Sequence, residues 1–174
     1  KEVNAEKMYD NVMNKFKWGG VDKKGIYLDE NVMRMCKSYR MVIFAKLAAA
    51  LYNEGQKDKA LEVLDKCMEV LPPENVPLDY SALSIGELYY VLGQKEKAEE
   101  VYTGIADDAL RNINWFFRLK PGQLSSVEGE LRQNLAVLQE VLRVNKQYNP
   151  EFGKKYQEEF DNYRMAYGAA ESKE

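Results

Sequence analysis

The residues here with chemistry in their side chains are 28 acids, 25 Lys and Arg, 12 tyrosines, two tryptophans and two cysteines, with no histidine. Without histidine, the commonest general base, zinc ligand and physiological pH switch are all missing. Ser-His-Asp and Cys-His hydrolases and HExxH metalloproteases are thereby excluded. Asp107-Asp108 invites a two-carboxylate reading, but such chemistry needs the pair held in a cleft at a set separation. The acids are instead interleaved with lysines, as in Lys95-Glu96-Lys97-Ala98-Glu99-Glu100, the pattern of a solvated helix face. No glycine-rich phosphate loop, calcium loop or metal-ligand cluster can be found. The expectation is a non-enzyme with no catalytic residues, no cofactor and no metal. Cys36 and Cys67 sit on apolar stripes outside any CxxC pair and read as small core hydrophobes; whether they pair is left open.

The net charge of −3 and a pI near 5.3 argue against a nucleic-acid partner, which wants a basic face. The 174 residues suit one domain that needs no disulfide or metal staple. The longest apolar run, Leu47 to Tyr52, falls far short of the roughly 20 residues of a membrane span. No signal segment opens the chain. It begins at Lys1 rather than Met, which suggests a piece of something larger.

Positioning falls to helices. Met8, Val12, Met13 and Phe16 share one face, stopped at Trp18-Gly19-Gly20. Asp29 reads as an N-cap for a stripe of Val32, Cys36, Tyr39, Ile43, Leu47 and Leu51 that ends at Gly55. Ala60, Leu61, Leu64, Cys67, Met68 and Leu71 make the next, cut at Pro72-Pro73. Another helix spans about Asp79 to Leu92 and stops at Gly93. A longer one carries Ala98 to Phe116 and ends before Pro121. Ser125 and Glu128 have capping-box spacing ahead of Leu131, Leu135, Leu138 and Leu142. Pro150 opens a last helix with an aromatic stripe, Phe152, Tyr156, Phe160, Tyr163 and Tyr167. That stripe reads as a face packed on the preceding leucines rather than as a sugar or peptide platform. A tail over 169–174 should fray. Seven helices and no convincing strand make the chain all-α.

Self-comparison gives the sharpest signal. Gly55-Gln56-Lys57-Asp58-Lys59-Ala60 matches Gly93-Gln94-Lys95-Glu96-Lys97-Ala98. Each is a glycine C-cap, a charged turn, and a small residue where two antiparallel helices approach closely. On these residues the chain resembles the tetratricopeptide (TPR) repeat, a helix-turn-helix unit of about 34 residues. One unit spans 41–74, with Leu47, Ala48, Leu51, Gly55, Ala60 and Leu64 on consensus positions and Cys67 where alanine is usual. The other spans 79–112, with Ile85, Gly86, Tyr89, Gly93, Ala98 and Tyr102. Phe44 and Ala82 stand where tryptophan is common, and residues 75–78 are the natural insertion. The resemblance implies a short right-handed superhelix. Residues 1–40 would cap one end, and 113–168 would supply an extension and a helix pair, possible as a diverged third repeat.

In such repeats the first helix of each pair lines a concave groove. The resemblance places Val42, Ala45, Ala49, Tyr52 and Asn53 there from the first unit, and Tyr80, Leu83, Glu87, Tyr90 and Val91 from the second. The tyrosines would anchor a protein or peptide partner. The competing reading turns Val42, Ala45 and Ala49 toward the N-terminal segment. The positions lack the lysine and asparagine pattern of repeats that clamp acidic C-terminal tails. Asn114-Trp115-Phe116-Phe117 points round more than half a helix, so Trp115 or Phe117 must lie under the following chain or stand exposed as a contact. The Trp18-Gly19-Gly20 loop is a capping turn that could instead approach a ligand.

Met8-Tyr9-Asp10-Asn11, Lys15-Phe16-Lys17-Trp18-Gly19-Gly20 and Tyr27-Leu28-Asp29-Glu30-Asn31, followed by the repeats, are similar to a second arrangement. This is the C-terminal region of a family of large multi-pass membrane proteins of unknown function from Bacteroidetes, related to predicted protein O-mannosyltransferases. The resemblance covers most of residues 6–118. It implies a tail on the periplasmic side of the inner membrane, behind a glycosyltransferase-like region with no catalytic residue in this chain. The rivals are a free-standing cytoplasmic adaptor and, from another class, a sugar-binding or enzymatic domain using surface aromatics and carboxylates.

Overall fold

The computed structural model describes the backbone of residues 4–171, with the side chains of that range other than 121, 122, 124, 125 and 169–171. Asn4 opens α1 (Ala5–Asp10) by accepting the Lys7 amide at 2.9 Å, and a π-helical turn, Asn11–Lys15, carries it on. Asp29 caps α2 (Glu30–Tyr39) as expected, its carboxylate accepting the amides of Asn31 and Val32 at 2.8 and 3.0 Å. A second π turn, Arg40–Ala45, joins α2 to α3 (Lys46–Asn53). There follow α4 (Lys57–Val70), a 3₁₀ turn (Tyr80–Ala82) capped by Asp79, α5 (Leu83–Val91), α6 (Lys95–Phe116), α7 (Pro121–Tyr148) and α8 (Pro150–Glu171). The chain is all-α, with no strand among the described residues.

The two matching turns fold alike. Gly55 and Gly93 take φ of +79° and +76°. The Gly55 amide donates to Tyr52 O at 2.9 Å and Gln56 to Leu51 O at 2.8 Å; Gly93 to Tyr90 O and Gln94 to Tyr89 O repeat both distances. This 5→2 and 6→1 pair is the Schellman arrangement, which needs a left-handed residue and so a glycine. Ala60 and Ala98, each fully buried, follow.

Contacts divide the chain into two compact units, Lys1–Val101 and Tyr102–Glu174, with the division inside α6. In the first, α3 packs along α4, α1 lies on α3, and the Arg40–Ala45 turn meets both α4 and α5. Its core holds Phe44, Leu47, Leu51, Leu64 and Ile85. The loop after α1 is fixed from two sides. Trp18 stacks on Phe44, with ring centroids 5.2 Å apart, and Asn75 Nδ2 donates to the carbonyls of Val21 and Lys23 at 2.6 and 2.8 Å. The loop is therefore packed on the first unit, with Gly19 and Gly20 both at positive φ. In the second unit α7 and α8 form an antiparallel hairpin. Tyr156 and Phe160 of the aromatic stripe are buried with Leu131, Leu138 and Leu142, so that face is packed.

Three details differ from the sequence reading. Helix α7 starts at Pro121, ahead of the expected Ser125-Glu128 box, because proline suits the first helical position and Gln123 Oε1 accepts the Lys120 amide at 3.3 Å. The Ser125 side chain lies outside the described residues. Helix α8 continues to Glu171, past the glycine expected to end it; 172–174 of the expected fraying tail lie outside the described residues. The two π turns carry no periodicity signal that sequence could reveal.

Alanine at Gly55 or Gly93 should lower stability by about 1 kcal/mol each, since both need positive φ. Alanine at Gly129, mid-helix in α7 with open space where its Cβ would stand, should raise it by up to about 1 kcal/mol. Thermal unfolding followed by circular dichroism checks the opposite signs.

Candidate functional site

A charged residue buried at the middle of the first unit sets this site. Arg40 falls four residues after Cys36 and four before Phe44, on the inward face of the π turn, and has no solvent exposure. Its Nη1 donates to Pro77 O at 2.9 Å and Ser81 Oγ at 3.1 Å. Its Nη2 donates to Leu71 O at 3.2 Å and Val76 O at 2.8 Å. These acceptors line the irregular connection between α4 and the 3₁₀ turn, whose carbonyls have no helix to satisfy them. Asp79 extends the network. It accepts from the Ser81 amide and hydroxyl at 2.9 and 2.7 Å and pairs with Lys37 at 2.6 Å. Burial pulls the Arg40 guanidinium down from its ordinary range, opposed by Cys67 and Asp79 beside it. With a reference value so high, it stays charged.

Fixing that connection places α5 against the π turn, and a groove of about 450 Å³ opens between them. One wall carries Met41, Ala45, Lys46, Ala49, Tyr52 and Asn53; the other carries Ser84, Glu87, Leu88 and Val91. Ala45 is buried and Ala49 half-buried, so small side chains form the floor, with polar groups at the rim. The Lys57 ammonium lies 5.8 Å over the Tyr52 ring, adding a cation at one end.

Of the expected groove residues, Tyr52, Asn53 and Glu87 meet here with Ala45, Ala49 and Val91, and no described residue of the N-terminal segment is among the lining. Val42, Tyr80, Leu83 and Tyr90 do not line it. Val42 stands half exposed outside, and Tyr90 is buried. The π turn is the reason on the first wall: its extra residue shifts everything before it by one position, so Met41 takes the place expected of Val42. On the second wall Tyr80 belongs to the 3₁₀ turn, and the face of α5 is Ser84, Glu87, Leu88 and Val91, one residue round from Leu83 and Tyr90. Sequence reasoning missed Met41, Lys46, Ser84, Leu88 and Arg40. Only Arg40 left a mark, as a charge spaced onto an apolar stripe.

The other singled-out residues lie elsewhere. Trp18 and Tyr39 are half-buried in the aromatic cluster with Phe44. Trp115 is 54% exposed, edge-on to Phe116, whereas Phe117 stacks on Tyr163 at 5.4 Å. Tyr156 donates to Asp107 at 3.1 Å and Arg111 to Asp108 at 2.8 Å, which draws the two adjacent carboxylates into separate interactions. In the second unit a concavity of about 440 Å³ beside the α7–α8 turn includes Arg143 and Lys154, each paired locally with Glu140 and Glu151. Among the described residues no group of His, Cys, Asp or Glu could hold a metal ion, and no helix is long and apolar enough to cross a membrane.

Cys36 and Cys67 are free thiols, both buried. Burial pushes Cys67 up to about 12 against a smaller downward pull from Arg40, and raises Cys36 as well. Maleimide at pH 8 should therefore label neither thiol until denaturant is added, as mass spectrometry would show. A thiol held protonated in the fold ionises first in the unfolded chain. Stability should therefore fall as pH rises from the ordinary thiol value near 9.0 towards about 12. Arg40→Ala removes the donors of three buried acceptors and one part-buried one and should cost about 3–5 kcal/mol. Arg40→Lys should recover only part of that, since an ammonium cannot span the same fan of acceptors. Urea unfolding of both variants, with proteolysis across 72–81, measures the effect.

No protein-family model, no curated protein and no solved structure matches this chain.

Proposed function

We propose that the chain is a non-catalytic binding module built from TPR-like hairpins, which holds a peptide segment of a protein partner in the groove between α3 and α5. The observation that carries this reading is the convergence of Tyr52, Asn53 and Glu87 over the alanine floor of that groove. Tyrosine offers a large amphipathic contact with few rotamers to freeze, and the small floor residues leave room for a partner side chain. Asn53, Ser84 and Glu87 offer donors and acceptors to a peptide backbone. The matching glycine-capped turns at 55 and 93 support the repeat assignment, since they share all but one residue and the same pair of hydrogen bonds. The likeness of most of residues 6–118 to the tail of the membrane glycosyltransferase-like family adds a setting. The module would present or assemble protein substrates beside an upstream membrane region.

Peptides selected from a random 12-residue display library against the whole chain should bind with micromolar Kd. Ala49→Trp, which fills the floor, should weaken them at least tenfold with helical content unchanged, and Tyr52→Ala by several-fold. Selected peptides that bind Ala49→Trp as tightly as the parent chain would place recognition elsewhere.

A further inference from the structure

The segment from Lys15 to Tyr27 is used by neither the groove nor the repeats. It carries four lysines, Lys15, Lys17, Lys23 and Lys24, against the single acid Asp22, in a chain whose net charge is −3. Lys15 pairs with Asp10, whereas Lys17, Lys23 and Lys24 make no ion pair among the described residues. The neighbouring acid Asp29 caps α2 through its carboxylate. The same segment exposes large apolar groups. Tyr27 is 91% exposed and Phe16 40%. Phe16, Trp18, Tyr39 and Ile43 border a groove of about 450 Å³, with Lys15 and Lys17 at its edge. Nor is the segment loose. Trp18 is stacked on Phe44, and Asn75 holds the Val21 and Lys23 carbonyls, so the lysines and aromatics are displayed from a fixed base.

From this composition and display we infer that residues 15–27 form a docking surface for a bilayer that carries anionic phospholipid. Aromatic rings beside lysines suit the headgroup region, where rings lie at the boundary and ammonium groups meet phosphate. Each lysine near an anionic bilayer is worth about a fivefold gain in partitioning, and exposed aromatics add to it. A nucleic acid fits less well. The segment contains no arginine for bidentate phosphate contacts. The inference does not rest on the peptide-groove reading, since no residue is shared between the two surfaces.

The test is co-sedimentation of the whole chain with vesicles of phosphatidylglycerol and phosphatidylcholine, against phosphatidylcholine alone. Binding should require phosphatidylglycerol and disappear by about 0.5 M NaCl. It should fall about a hundredfold when Lys17, Lys23 and Lys24 are changed together to Gln, and several-fold with Tyr27→Ser. All four side chains are exposed, so the variants should keep their helical content, which circular dichroism verifies. In a Trp115→Phe background, Trp18 emission should shift to the blue on adding the anionic vesicles. Equal sedimentation with both lipids, or a triple variant that binds like the parent, would overturn the inference. So would a single-stranded RNA that binds as tightly as the vesicles and loses nothing with Tyr27→Ser.

Discussion

The first unit depends on one guanidinium buried without a carboxylate in hydrogen-bond contact. Removing such a charge from water costs several kcal/mol, and Arg40 offsets this with four hydrogen bonds to Leu71, Val76, Pro77 and Ser81. The chain between α4 and the 3₁₀ turn contains Pro72, Pro73 and Pro77 and cannot close into a helix, so its inward carbonyls need donors from elsewhere. Arginine suits this role because its planar head presents five donors in fixed directions. The Nε stays without a partner, which marks the geometry as set by the two terminal nitrogens.

The π turn and Arg40 belong together. Arg40 begins that wide turn, whose extra residue keeps Cys36, Arg40 and Phe44 in line while handing the face of α3 to Leu47, Ala48 and Leu51. The same register shift brings Met41 rather than Val42 to the groove. One backbone irregularity thus serves two ends, turning the charge inward to hold the connection and setting which side chains face the opening. Asn75 carries the order outward to the Trp18 loop, so the connection between α4 and the 3₁₀ turn also holds the N-terminal segment.

Legibility followed the local character of each signal. Asp29 as an N-cap, Pro150 at the start of α8 and the glycines at 55 and 93 are decided within a few residues, and all four were read correctly. The start of α7 was misplaced because two adequate caps lie close together, and sequence does not say which the chain uses. Of the candidate groove residues, Tyr52, Asn53 and Glu87 were found because they lie beyond the π turn or in the regular part of α5. Val42 and Tyr80 missed because periodicity assumes 3.6 residues per turn throughout, and that assumption fails at 40–45 and 80–82, whereas Leu83 and Tyr90 lie on regular α5 one residue round from the face that lines the groove.

The sequence alone determined the helical class, most helix ends and the doubled glycine turn, since these follow from backbone preferences and the spacing of apolar residues. It also excluded histidine-dependent centres, because the chain has no histidine. Tertiary structure decided which helix faces meet across the groove, where Arg40 finds its acceptors, and that Trp115 is exposed while Phe117 is stacked. Those outcomes depend on residues 30 to 50 positions apart competing for the same space and hydrogen bonds, as Arg40 with Pro77 and Tyr163 with Asn114 do, and no local pattern encodes that competition.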